Sequence, residues 1–338
     1  MWKPVPQVPD LRRWARQDPL YRRRAGCSTA AGQGARFHAA ILSPLKALIW
    51  QYLTVTIAVL IKVNDGFVLA ADSATTVSAA GADGEPRVLN IYNNANKIFN
   101  LHKALPIGAM TWGLGNIGPA SIATLAKDLR LRFSGGDSAH PGWKLDAENY
   151  QMSDVAERAR EFFEDEKYRP LCANGDVVPD LGLLIGGYSS GDAAPELYLI
   201  QLGQGSTPTL TPTLEDGTGA TWFGQPEAIT RIMLGTSTMV PQALVNLGVP
   251  PDQVQPAVDT IQQQVNVPLV SPAMPIQDAI DLAQFLVDAT IQFVRFSPGS
   301  PTVGGPVEVA CITKHEGFRW VARKHYFSTH LNPPIEES

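Results

Sequence analysis

The 338-residue sequence predicts an α+β fold built on antiparallel sheets. Three observations predict it. Strand-like runs come in pairs joined by short turns, the pattern of hairpins. Helical periodicity is confined to separate blocks, in the order strands, two helices, strands, helices, strands. The strand–helix–strand alternation that builds a parallel sheet is not seen. With 44% apolar residues and only 17% charged, the chain can bury a sizeable core, and its length allows one large domain or two.

The first hairpin lies in TVTIAVLIKVNDGFVLAADSATT, Thr54 to Thr76. Two β-rich runs, Thr54–Val63 and Phe67–Ala71, flank the turn Asn64-Asp65-Gly66, and the second run ends on a lone carboxylate, Asp72. A polar excursion, Val77–Asn96, follows. Lys97–Leu101 and Ile107–Trp112 read as a second hairpin. Gly113–Gly118 then opens a helix, with Pro119 in its first turn and Ile122, Leu125, Ala126, Leu129 and Phe133 on one face. Ser134–Asn149 is rich in Gly, Pro and Asp and reads as a loop. Ser153 is placed to cap a helix carrying Val155, Ala159 and Phe162. Strands resume at Leu181–Tyr188, Glu196–Leu202 and Ala220–Phe223. The clearest helix is Ile276–Phe296, apolar at Ile276, Ile280, Ala283, Val287, Ile291 and Val294 and polar opposite. Val307–Thr313 and Phe318–Ala322 form the last hairpin.

Charge divides the chain. Residues 1–53 hold nine Lys/Arg and two acids, a net of +7, which leaves −12 for the remainder of a chain whose total is −5. An acidic body argues against nucleic acid as a partner, because phosphate binding needs positive surface. The three cysteines, Cys27, Cys172 and Cys311, have no paired spacing, which points to a reducing, cytoplasmic compartment and to no zinc site. The closest histidine pair, His325 and His330, matches no strong metal motif. The apolar run Ala47–Ile61 between Lys46 and Lys62 has 15 residues against the roughly 20 of a spanning helix, and it contains Gln51, Thr54 and Thr56. No membrane anchor is expected.

Taken together, NDGFVLAADSATT, the later NKIFNL and the still later GAMTWGLGNIG before a helix resemble proteasome β-subunits and their bacterial relatives, the N-terminal nucleophile hydrolases. The likeness covers roughly Thr54–Ala322 and is strongest over Thr54–Phe133. It implies a four-layer αββα sandwich over residues 54–330, two antiparallel sheets face to face with helices outside. Residues 1–53 are then a propeptide or the product of a misassigned start.

The resemblance also implies a site. The nucleophile is the hydroxyl of a threonine whose own freed α-amine serves as base. A lysine ammonium tunes both groups, a carboxylate holds the lysine, and a backbone N–H stabilises the oxyanion. In this sequence these are Asp72, Lys97 and Gly113. Counting back from Asp72 through the turn places the nucleophile at Thr56. Thr54, on the same strand face, is the alternative, exposed if translation starts at Leu53 and the initiator methionine is removed. No cofactor is implied. The implied activity is amide hydrolysis of peptide or unfolded protein inside a homo-oligomeric ring, an enclosure that suits an ATPase unfoldase as partner. The family's supporting Asp-x-x-Ser-Gly-Gly stretch corresponds here to Ser300-Pro301-Thr302-Val303-Gly304-Gly305, with Ser300 for the aspartate and Val303 for the serine. A further supporting serine is absent from Phe223-Gly224-Gln225. Two other readings follow from these departures and from the fold: a catalytically silent proteasome-like shell, and an amidase acting on small molecules.

Overall fold

The computed structural model describes residues 56–80, 86–173, 178–203, 209–215 and 217–324. Thr54, the segment 1–53 with Cys27, and the pair His325 and His330 lie outside the described residues. The strands in chain order are β1 (Ile57–Val63), β2 (Gly66–Ala71), β3 (Thr75–Ala80), β4 (Pro86–Tyr92), β5 (Ile98–Asn100), β6 (Ile107–Gly113), β7 (Asn116–Ile117), β8 (Ala120–Ser121), β9 (Leu181–Gly187), β10 (Glu196–Leu202), β11 (Thr209–Pro212), β12 (Gly219–Gly224), β13 (Glu308–Thr313) and β14 (Gly317–Ala322). The helices are α1 (Ile122–Phe133), α2 (Met152–Arg160), which continues through a π-helical stretch Glu161–Tyr168 into α3 (Arg169–Ala173), then α4 (Glu227–Leu234), α5 (Val240–Asn246), α6 (Pro251–Val265) and α7 (Ile276–Phe296).

The fold is α+β with antiparallel sheets. One five-stranded sheet runs β12-β1-β2-β13-β14 and the other β11-β10-β9-β6-β5; β3 with β4 and β7 with β8 form two small ribbons. β1 and β2 are buried along their whole length, which is why they read as apolar runs, broken only by Lys62, and not as alternating ones. Their pleat still divides them. Ile57, Val59, Ile61, Val68 and Ala70 join a core with α4 and α7 residues such as Ile229, Ala283 and Leu286. Ala58, Leu60, Phe67, Leu69 and Ala71 join a second core with Met110, Leu184 and Leu197 of the other sheet. A third core lies on the far side of β6 and β9, where Ile107, Leu183 and Ile185 meet Leu129 and Phe133 of α1 and Val155 and Phe162 of the α2 segment.

α7 spans the residues that its period marks out, and buries Ala279, Ile280, Ala283, Leu286, Val287 and Thr290. Four details differ from the sequence expectation. The excursion Val77–Asn96 contains the β3–β4 ribbon, and the Pro/Thr-rich stretch contributes β11. α1 begins at Ile122 with Ser121 as its cap, whose side chain accepts from Thr124 N–H, so Pro119 sits between β7 and β8 instead of in the helix. α2 begins at Met152, before Ser153, because Ser189 Oγ accepts the Met152 N–H at 2.8 Å from another element. Among the described residues no helix is long and apolar enough to cross a membrane.

Phe67 is fully buried where the two sheets meet. Phe67→Ala is expected to cost about 3–5 kcal/mol in denaturant unfolding. Leu131→Ala, at an exposed position on α1, should stay within about 0.5 kcal/mol.

Candidate functional site

The end of the β1–β2 hairpin builds the site. Asp72 follows the last residue of β2, and its backbone N–H bonds to Ile57 O at 3.2 Å, so the carboxylate returns beside the start of β1. Asp72 is fully buried. A carboxylate there must be satisfied by the protein. Oδ1 accepts from Lys97 Nζ at 2.5 Å and from Ile57 N–H at 3.1 Å. Oδ2 accepts from Ala74 N–H at 3.1 Å and from Gly304 N–H at 3.0 Å. Lys97, just before β5, is 5% exposed. Burial pushes its ammonium below the ordinary lysine value, and Asp72 opposes that shift.

Thr56 immediately precedes β1 and is 1% exposed. Its carbonyl accepts the Gln225 N–H at 2.7 Å. Gly224 has φ +96°, and a Cβ there would stand 1.8 Å from Thr56 O, so only glycine lets this loop close on the threonine. Phe223, one residue earlier, stacks on Trp112 of β6 with ring centroids 3.8 Å apart, joining the two sheets next to the site. The Phe223-Gly224-Gln225 tripeptide thus positions Thr56 through its backbone.

Gly113 closes β6 at φ +85°, with Asp180 O only 2.4 Å from where a Cβ would be. Thr111 N–H bonds to Lys97 O at 2.9 Å, so the odd-numbered residues of β6 aim their N–H groups at β5. By the same alternation the Gly113 N–H is directed past the start of β5, on the edge that carries Lys97. Thr56, Lys97, Thr111, Trp112, Gly113 and the first turn of α1 line one cavity of about 290 Å3. Thr56, Asp72, Lys97 and Gly113 therefore come together; Thr54 lies outside the described residues.

The supporting stretch also reaches the site, but through its backbone. Gly304 donates to Asp72 and accepts the Ser73 N–H at 2.9 Å. Val303 is buried in the core beneath α7, and Ser300 lines a separate cleft with Gln225.

Three residues that the sequence reading does not single out are bonded beside the site. Ser73 Oγ donates to Pro306 O at 2.6 Å, and Lys324 Nζ donates to Ser73 Oγ and to Ala95 O, each at 2.6 Å. Glu308, buried at the start of β13, has Oε2 3.0 Å from Lys324 Nζ, near enough for an ion pair though not aligned as a hydrogen bond. The one signal in the sequence was an acid heading an otherwise apolar strand, Glu308-Val-Ala-Cys-Ile.

Among the described residues, no group of three or more His, Cys, Asp or Glu side chains is placed to hold a metal ion. No protein-family model matches the chain, and no curated protein matches it.

Asp72→Asn presents one oxygen to four donors and turns its own NH2 towards N–H groups. The substitution also strands the buried Lys97. A loss of about 3–5 kcal/mol is expected in chemical denaturation.

Proposed function

We propose that this chain is a threonine-dependent amide hydrolase of the N-terminal nucleophile type, acting on peptide or unfolded protein. The observation that carries the reading is the buried Asp72–Lys97 pair, 2.5 Å apart, on the cavity that Thr56 and Gly113 also line. The three cores support an αββα layering for the described residues: helices against one sheet, sheet against sheet, and helices against the second.

In this reading the peptide bond before Thr56 is first broken, giving Thr56 a free α-amine. That amine has a reference pKa of about 7.7–8.0, and the Lys97 ammonium lowers it further by its charge. The amine takes the proton of Thr56 Oγ, directly or through water, as the oxygen bonds to the substrate carbonyl carbon. The carbonyl oxygen becomes an oxyanion and accepts from the Gly113 N–H. The same proton passes to the departing nitrogen, the C–N bond breaks and an ester on Thr56 remains. Water, deprotonated by the amine, attacks the ester carbon; the C–Oγ bond breaks, the acid leaves, and the proton returns from the ammonium to Thr56 Oγ. Asp72 touches no substrate; it holds Lys97 charged and oriented.

The family likeness extends this reading to a ring of identical subunits enclosing the sites, with an ATPase unfoldase feeding them, in the cytoplasm. α7 leaves Phe285, Phe293 and Phe296 exposed, apolar surface of the kind that subunit contacts cover. A second reading, a silent shell, is favoured by one observation: Val303 is turned into the core and Ser300 lines another cleft, so neither supplies the side chain that the family uses beside the amine.

Intact mass should show a mature chain beginning at Thr56. An epoxyketone, which captures hydroxyl and amine together, should leave an adduct on Thr56 that is lost in Thr56→Ala. Correctly processed, assembled protein that takes no adduct would establish the silent shell. Lys97→Ala should lower turnover by at least about 100-fold with assembly intact by sedimentation. Lys97→Arg should restore little, because a guanidinium is larger and fixed in its protonation.

A further inference from the structure

We infer that Lys324 is a positioning residue for the Thr56 site: with Glu308 it forms a second buried ion pair behind Asp72 and Lys97, and it ties the residue after Asp72 to the segment that delivers Lys97. The catalytic part of this inference rests on the reading of the preceding subsection; the electrostatic part does not.

The geometry is a three-way tie. An ammonium has three N–H donors. Lys324 donates to Ser73 Oγ at 2.6 Å and Ala95 O at 2.6 Å, and its charge lies 3.0 Å from Glu308 Oε2 as an ion pair. Each partner belongs to a different segment. Ser73 follows Asp72. Ala95 precedes Lys97 by two residues and lines the cavity. Glu308 opens β13, opposite Ala71 in the ladder with β2. The Ala95 N–H returns a bond to Ser73 O at 2.9 Å, so the two segments are fastened from both sides. Lys324 itself lies two residues past β14, and its side chain is 6% exposed.

The charges form two back-to-back pairs. Lys97 pairs with Asp72, and the charges of Lys324 and Glu308 also bear on it. Lys324 faces Glu308, with Asp72 and the exposed Arg323 near it. In a buried setting the like charge of Lys324 weakens Lys97's hold on its proton, and Glu308 partly offsets this. A lone Asp72–Lys97 pair would keep its lysine protonated more firmly. The second pair therefore sets how strongly Lys97 bears on the hydroxyl and amine of Thr56, as well as where it stands.

The test follows Lys97 directly by NMR of 13C-labelled lysine on processed protein, with the resonance assigned by Lys97→Arg. In Lys324→Met the Lys97 midpoint should rise by on the order of one pH unit. It rises even where the stranded Glu308 is neutral, since the like charge of Lys324 bears on Lys97 more than the opposite charge of Glu308 does. Lys324→Met with Glu308→Gln leaves no stranded carboxylate and guards against a folding failure; a smaller rise is expected there. Lys324→Arg should keep the parent midpoint. Epoxyketone capture of Thr56 in Lys324→Met should slow about tenfold, with its pH profile displaced upward alongside the Lys97 midpoint and KM for a peptide amide within about twofold of the parent. An unchanged Lys97 midpoint in both Met variants overturns the inference, whether or not the parent is active. A shifted midpoint in a parent that captures no electrophile sinks the hydrolase reading and leaves the coupling standing. A shifted midpoint with parental capture rate and pH profile shows that Lys324 does not act on Thr56, and overturns the positioning role.

Discussion

A fully buried carboxylate governs this structure. Asp72 cannot remain ionised without donors, and the fold brings them from four places: Ile57 at the start of β1, Ala74 just after Asp72, Lys97 before β5 and Gly304 in the loop before β13. Ile57 belongs to the first sheet, Lys97 leads into the second, Ala74 lies between β2 and the β3–β4 ribbon, and Gly304 lies in the connection after α7. The need to satisfy one side chain thus fixes how the two sheets meet at this end. The closeness of Thr56 to Lys97 follows, because Ile57 and Lys97 share the same carboxylate oxygen.

Legibility in the sequence tracked the range of the interactions. The β1–β2 hairpin was readable because its residues are apolar on both faces and its turn is local. α7 was readable to its ends because Pro275 precedes it and its apolar period is unbroken up to Ser297. β11 and the β3–β4 ribbon were not readable. β3 is Thr-Thr-Val-Ser-Ala-Ala, and β11 has four residues, two of them threonine and one proline. Such stretches carry too little apolar alternation to separate strand from loop. The start of α2 was misjudged because Ser189, 37 residues away, binds the first helical N–H.

The candidate site divides the same way. Asp72, Lys97 and Gly113 are expected from the family resemblance, and Thr56 from counting back from Asp72 through the turn of the first hairpin. Ser73 and Lys324 carry no local mark of burial, and Glu308 only the weak one of an acid heading an apolar strand. A lysine just past a strand reads as solvated, and a glutamate at the first position of one reads as an edge charge. They become informative only when β13 is laid against β2 and the residue after β14 folds back over Ser73. The Phe223-Gly224-Gln225 loop is a third kind of case. Its sequence shows that a side chain is missing, whereas its structure shows what the backbone does instead: Gly224 admits the close approach and Gln225 holds the Thr56 carbonyl.

That backbone hold bears on how a threonine inside a longer chain can be ready for chemistry. Among the described residues, the bonds that fix Thr56 and its neighbour come from Gln225, Asp72 and the β1 ladder, and they act on the carbonyl of Thr56 and on residues after it. None of them uses the Thr56 N–H. Removing whatever precedes Thr56 would therefore leave these bonds in place and add an amine to a position already set. Val303 is taken up in the core beneath α7 and Ser300 lines a separate cleft, so neither side chain enters these bonds. The position of Thr56 thus rests on backbone bonds to its carbonyl and to the residue after it.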